Sequence, residues 1–356
     1  MKRLALFREL LLISIGEQDS FSKLPSDMTW RWLFLESQKQ SLVGVSLSGI
    51  ERLPSEQRPP KELLIEWIGT AEWIEQLNRQ QIGKIREIAT VFEKGEFRSC
   101  ILKGQGVAEL YPQPLRRQCG DIDLWVDGSR EDIVKFCRGR WQIDHVDVKN
   151  MVIDNIPDVH LEVHFIPSWF YSPFTNRKFK RWFRLQWDEQ FTNHSANGYS
   201  KPTIAFNLVY CLVHIYKHQF DEGIGLRQMM DYYYLLHHST VEERGQAYTT
   251  IRSLGMGKFA AATMHVMNEL FALKYEYLLC QSDERLGEKL LEDILIGGNF
   301  GQYDKRNAHG KENRLTHGIR NIRHNVDLLL DYPSEVLWSP LWKCWHWCWR
   351  KKHGYL

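Results

Sequence analysis

The seven cysteines (100, 119, 137, 211, 280, 344 and 348) form no Cys-x-x-Cys pair and leave one over. That fits free thiols in a reducing cytoplasm better than a disulfide framework. No run approaches the roughly 20 uncharged apolar residues of a membrane span. Arg8 and Glu9 interrupt the apolar stretch Leu4 to Ile15, and no small-residue cleavage site follows it, so no secretory leader is expected. An excess of one charge is also missing: 46 Lys and Arg stand against 44 Asp and Glu, and the net +2 does not require a polyanionic partner. There are no internal repeats and no low-complexity tracts. What the 356 residues do hold is an ordinary globular balance, 43% apolar and 25% charged, with 14 Trp as the one oddity. The length suits a catalytic core with further elements.

Helical spacing of apolar residues is read over 2–15, 28–42 and 61–93, the last with Leu63, Ile65, Trp67, Ile68, Trp73 and Leu77 toward one side. Glu51 to Pro60, with three prolines, is a connector. Ser99 to Lys103 then makes a short apolar run into Gly104, and a short helix over 106–111 ends at Pro112 and Pro114. From Ile122 the period becomes two: Ile122, Leu124 and Val126 on one face, Asp121, Asp123, Trp125 and Asp127 on the other, a half-buried strand. A second alternating run puts Val159, Leu161, Val163 and Phe165 inward and His160, Glu162 and His164 outward. Helical spacing returns in 204–219, 225–237, 255–279, 284–296, 313–331 and 337–352, with a loop over 297–311. The expected fold is therefore α+β. A helical N-terminal region (1–94) precedes a small mixed-sheet core (95–195), and an all-helical C-terminal domain (196–356) follows.

Asp121 and Asp123, one residue apart on a strand, aim their carboxylates the same way and concentrate negative charge, which a cation relieves. Hard oxygen donors select Mg²⁺ or Mn²⁺. Upstream, Lys103-Gly104-Gln105-Gly106 is a strand running into a glycine turn and a helix, whose unpaired N–H groups offer a seat for phosphate oxygens. Downstream, Glu162 adds a third carboxylate on a strand of the same kind. These are the parts phosphoryl transfer uses.

That order resembles the nucleotidyltransferase superfamily related to DNA polymerase beta. Four segments resemble, more specifically, uncharacterised bacterial nucleotidyltransferase-like proteins. They are Leu102-Lys103-Gly104; Tyr111-Pro112 with Arg117 and Gly120-Asp121-Ile122-Asp123-Leu124; Leu161-Glu162-Val163-His164; and Gly223-Ile224-Gly225-Leu226-Arg227-Gln228 with Asp231. The loop Gly297-Gly298-Asn299-Phe300-Gly301 is similar too. The turn departs from the superfamily's usual Gly followed by Gly or Ser, since Gln105 follows Gly104 and Val107 follows Gly106. The resemblance implies that Asp121, Asp123 and Glu162 hold Mg²⁺ and carry catalysis. A nucleoside monophosphate moves from an NTP such as ATP to an acceptor hydroxyl, and pyrophosphate leaves. Lys103, Gly104, Gln105, Arg117 and Arg227 are the nucleotide-binding candidates. For Lys103 and Arg117 a structural ion pair with Asp121 or Asp127 is the competing reading, and for Arg227 a helix pair with Asp231. The alternative function is a non-catalytic module that senses a nucleotide or docks a partner. The acceptor, whether small molecule, protein or RNA, is not written in the residues.

Other features carry two readings each. His160 and His164 flank Glu162, but His-Leu-Glu-Val-His lacks the order of helical zinc proteases, so tuning of Glu162 by His164 is preferred to zinc. His214 and His218, one turn apart, read as packing against the 226–236 helix or as metal ligands. Arg177, Lys178, Lys180, Arg181 and Arg184 form one basic patch, and Lys305, Arg306, Lys311, Arg314, Arg320 and Arg323 another. Each is a solvated face or an RNA contact. Trp338, Trp342, Trp345, Trp347 and Trp349 crowd the C-terminal helix ahead of Arg350-Lys351-Lys352, for domain packing or for contact with a partner or membrane surface.

Overall fold

The computed structural model of the chain describes residues 2–153, 155–157, 159–221, 223–303 and 328–354. Four helices come first: α1 (Lys2–Ile15), α2 (Asp27–Lys39), α3 (Val43–Arg52) and α4 (Lys61–Lys94). The buried stripe of α4 runs Leu63, Trp67, Ala71, Ile74, Asn78, Gln81, Ile85, Ile88 and Phe92, steps of three and four that keep one face turned inward. Ile65 and Trp73 fall off that stripe and are each 60% exposed, correcting the grouping expected from helical spacing. The length of α4 lets it serve two cores. Its first half packs with the other N-terminal helices, and Ile85, Ile88 and Phe92 pack under the sheet.

The sheet has the order β1-β2-β5-β4-β3, formed by β1 (Ser99–Leu102), β2 (Ile122–Val126), β3 (Ile143–Val146), β4 (Asn150–Ile153) and β5 (Leu161–His164). β2 and β5 run parallel, and the remaining neighbours are antiparallel. α5 (Gly104–Ala108) follows β1, and α6 (Arg130–Arg138) follows β2. Ile122, Leu124 and Val126 face the cluster made with α4 and α6, as alternation requires. The opposite face is covered as well. Trp125 lies 5.8 Å from the Phe206 ring and 4.7 Å from Trp187 and Phe191, so all five residues of β2 are buried and the strand is not half-exposed.

That cover comes from α7 (Pro173–Leu185), α8 (Trp187–Thr192) and α9 (Ile204–Asp221), followed by α10 (Leu226–His238), α11 (Val241–Ser253), α12 (Gly257–Phe271) and α13 (Glu284–Gly297). The helix expected over 255–279 stops at Phe271, where Ala272 takes a left-handed conformation (φ 49°). Helices α1–α3 and α9–α13 share one hydrophobic core, so the two ends of the chain meet over the sheet. The last helix, α14 (Pro333–His353), splits its aromatics by face. Trp342 and His346 turn inward, while Trp345 and Trp347 are more than half exposed. The basic patch of Lys305 to Arg323 and most of the helix expected over 313–331 lie outside the described residues. Among the described residues, no helix is long and apolar enough to cross a membrane.

Candidate active site

Parallel pairing of β2 with β5 sets Asp123 opposite Glu162 and Trp125 opposite His164. Side chains at paired positions share a face, so Asp123, Glu162 and His164 converge on one side of the sheet. One ligand atom from each lies within 4.8 Å of the others. Asp121, one position before the strand, borders the same cleft of about 740 Å³. The neighbouring Asp123 charge, aided by burial, raises its carboxyl above the usual range.

Asp123 is 4% exposed and both its oxygens are engaged. Lys103 Nζ reaches Oδ2 at 2.8 Å, and His164 Nε2 reaches Oδ1 at 2.8 Å. Burial works to raise the Asp123 carboxyl, yet Lys103 and His164 hold it well below the usual carboxylate range. Burial likewise opposes the charged forms of Lys103 and His164, and the surrounding carboxylates outweigh it and raise both. Glu162 Oε2 accepts from Asn150 Nδ2 at 2.6 Å and lies 3.4 Å from His164 Nε2. Burial and then the Lys103 charge keep His214 neutral, with its Nε2 3.3 Å from Lys103 Nζ. His214 and His218 therefore line the cleft and do not simply pack against α10.

Lys103 is placed there by its backbone. It holds a positive φ of 50° at the start of α5, a conformation side chains other than glycine rarely adopt, and Gly104 follows at φ 38°. The strained turn bends the chain out of β1 directly beside Asp123, whose β1 partner is Leu102. The other sequence candidates part company. Gln105 turns its side chain into the interior, donating to Asn78 Oδ1 at 2.6 Å and Gln81 Oε1 at 2.8 Å, so only its backbone is left for a ligand. Arg117 pairs with neither Asp121 nor Asp127. Its guanidinium grips both oxygens of Asp231 at 2.7 Å, and Tyr111 Oη donates to the same carboxylate at 2.7 Å.

With Asp231 taken, Arg227 makes no i,i+4 pair. It donates to Gln118 O at 3.0 Å, stacks over Phe300 and faces the cleft, with no carboxylate partner among the described residues and its buried Nε unbonded. The glycine-rich approach to α10 positions it. A Cβ on Gly225 would stand 2.7 Å from Asn299 Cα, so only glycine lets the Asn299–Gly301 turn close over α10.

Sequence reasoning missed the far end of the cleft, lined by Lys149, Trp169, Tyr171, Lys217, Trp342 and His346. These residues come from β4's approach, the segment after β5, α9 and α14, and no periodicity links them. Only the density of Trp in α14 hinted at it.

Three carboxylates facing one cleft, one of them with its affinity for a proton raised by the Asp123 charge, make a donor set that fits a hard divalent cation. The fit requires that Lys103 release Asp123. A phosphate arriving with the cation supplies the lysine with another anion. No curated protein matches the chain. Residues 26–272 match the family described as "Uncharacterised nucleotidyltransferase", and over that span the chain belongs to this family.

Proposed function

We propose that the protein transfers a nucleoside monophosphate from an NTP to an acceptor hydroxyl, with release of pyrophosphate. The observation that carries this reading is the β2–β5 register, which sets Asp123 beside Glu162, with Asp121 two residues earlier on the same cleft. Asp121, Asp123 and Glu162 would hold Mg²⁺ or Mn²⁺, and the bound ion supplies charge neutralisation at the phosphates and acidifies the acceptor hydroxyl. Arg227, a buried cation without a carboxylate partner among the described residues, binds the triphosphate end beside Asp121, and Lys103 transfers its ion pair from Asp123 to phosphate oxygen. Glu162, fixed by Asn150, accepts the hydroxyl proton. The acceptor oxygen attacks the α-phosphorus, one P–O bond forms, the bond to the β-phosphate's bridging oxygen breaks, and pyrophosphate carries that electron pair away.

Calorimetric titration with Mn²⁺ and each of ATP, CTP, GTP and UTP tests this. Metal-dependent binding of at least one nucleotide, lost in Asp121→Asn and Asp123→Asn, is the expected result. Binding that is absent or indifferent to both substitutions overturns it.

One observation favours a second reading, a nucleotide-sensing module without turnover: both Asp123 oxygens are already satisfied by Lys103 and His164. On that reading a nucleotide binds equally well without a divalent ion, and no pyrophosphate appears with any acceptor.

A further inference from the structure

The cleft has two chemically different ends. Arg227 acts electrostatically on Asp121, and Lys149 on Glu162. With the nucleotide at the Asp121 end, the Lys149 end is left for the acceptor. That end is built from buried and aromatic groups. Trp169, Tyr171 and Trp342 form a box, with ring centroids 5.6 Å apart for Trp169 and Trp342 and 5.3 Å for Tyr171 and Trp342. His346 stacks on Trp342 at 4.6 Å and is held by Asp147 Oδ1 at 2.6 Å.

Two donors in this box have no hydrogen-bond acceptor in good geometry, and Lys217 has only a loose ion pair with Glu335. Lys217 is 4% exposed, its ammonium set 3.1 Å over the Tyr171 ring, and its nearest carboxylate oxygen, on Glu335, is 3.5 Å away. Glu335 is occupied elsewhere, accepting from the backbone N–H of Tyr171 at 2.9 Å and of Ser172 at 3.2 Å. Among the described residues, neither Lys217 Nζ nor the buried Trp169 Nε1 has a hydrogen-bond acceptor. Buried donors left unbonded are costly, and both line the cleft. Lys149 Nζ lies 4.5 Å over the other participant in this arrangement, the Trp169 ring, and has no carboxylate partner among the described residues. The acids nearby are engaged: Asp147 with His346, and Asp221 with Tyr171 Oη at 2.6 Å.

Resting on the nucleotidyl-transfer reading, we propose that this end is the acceptor subsite and that it takes a phosphorylated polyol or sugar. The phosphate monoester lies between Lys217, Lys149 and the Trp169 N–H, and the carbon skeleton lies against Tyr171 and Trp342. Two lysine ammonium groups, 4.5 and 5.0 Å from the Trp169 ring centroid, together with that ring's own N–H supply three donors around one place, which suits a tetrahedral oxyanion with three free oxygens better than a planar carboxylate. Aromatic faces accept the C–H surface of a ring and leave its hydroxyls pointing along the cleft toward Glu162.

The test uses the full chain without nucleotide or divalent ion, so that it does not depend on turnover. Glucose 6-phosphate, ribose 5-phosphate and glycerol 3-phosphate are titrated calorimetrically against glucose, ribose and glycerol, with glucuronate as the carboxylate. At least one phosphorylated compound is expected to bind about tenfold or more tighter than its neutral parent and than glucuronate. Inorganic phosphate is expected to compete. Lys149→Met and Trp169→Phe should each weaken it about tenfold. These variants carry the test because Lys217→Met disturbs a buried cation and risks the fold. Asp123→Asn, which removes nucleotide binding on the reading above, should leave phosphate-ester binding unchanged. Failure of nucleotide binding with ester binding intact would therefore sink that reading alone. No preference for any phosphorylated probe, a preference for glucuronate, or indifference to both variants overturns the subsite.

Discussion

Lys103 Nζ sits 2.8 Å from Asp123 Oδ2, so the lysine before the glycine turn neutralises the carboxylate at the centre of the candidate site. Asp123 is buried and Lys103 is partly so, and the strained φ of Lys103 commits the backbone to the pair. The site thus carries its own cation, which an arriving metal must displace and an arriving phosphate can recruit.

Replacing Lys103 with Met separates these two roles. Removing a positive charge this close to the carboxylates should tighten Mn²⁺ binding about tenfold, because one Asp123 oxygen is freed and a repelling charge is lost. Nucleotide transfer should nevertheless fall about a hundredfold through loss of phosphate stabilisation. Manganese paramagnetic titration and pyrophosphate release read the two effects. Weaker manganese binding in the variant would contradict the displacement picture.

The Arg117–Asp231 pair anchors the loop that carries Asp121 to helix α10, with Tyr111 as its third member. Both charged side chains are almost fully buried. Asp231→Ala leaves a guanidinium buried without its partner and should destabilise the protein by about 3–5 kcal/mol. Arg117→Met combined with Asp231→Leu should recover much of that loss. Denaturant midpoints of the three proteins measure it, and a double variant no more stable than Asp231→Ala would contradict the coupling.

Much of the carboxylate-bearing half of the cleft was legible because period-two alternation on 122–126 and 159–165 fixes which residues share a face. The partner of Lys103 was not, because it depends on the β1–β2 register, which no local pattern encodes. Strands β3 and β4 escaped notice for a related reason: each has four residues, and β3 carries Asp144 and His145 on an exposed edge. α7 hid behind its cations. Phe179 and Phe183 are four apart and buried, but Arg177, Lys178, Lys180, Arg181 and Arg184 dominate the segment. The two faces of α14 could not be told apart with Trp on both, since only the position of Trp169 and Tyr171 decides which face is inner.

Acid should expose the contribution of Glu109, whose carboxylate takes Lys201, Ser195, Asn197 and Tyr199 as partners. Burial works to raise its carboxyl, but these bonds lower it below the ordinary 4.5. A depressed folded value means that the stabilisation is complete above about 4.5 and is lost as pH falls through the lower folded value. Glu109→Gln should therefore flatten the acid limb of a melting-temperature profile below that point. An unchanged acid slope would show that the bonds contribute nothing to folding.

Glu335 fastens α14 to the segment after β5 by accepting from the Tyr171 and Ser172 N–H groups. Glu335→Ala orphans two buried donors and should cost about 2–4 kcal/mol. The loss should be local, since α14 is the element released, and limited proteolysis should cut the C-terminal helix first. Global unfolding without an early C-terminal cut would show that α14 belongs to the core's cooperative unit.

Gly225 offers a test of the cleft's other wall. Its missing Cβ is what lets Asn299 Cα approach, and the next residue in that turn, Phe300, stacks on Arg227 with 5.5 Å between guanidinium carbon and ring centroid. Gly225→Ala places a methyl 2.7 Å from backbone that cannot rotate away, so the turn must move as a whole. The overpacking should cost about 1–3 kcal/mol. Its functional effect should be larger than its effect on stability implies, because the displaced Phe300 no longer holds Arg227, a cleft arginine with no carboxylate partner among the described residues. Nucleotide affinity is expected to drop about tenfold while phosphate-ester binding at the Lys149 end stays unchanged. Equal losses at both ends would mean that the substitution disturbs the whole cleft, and Arg227 would then have no distinct role at the nucleotide end.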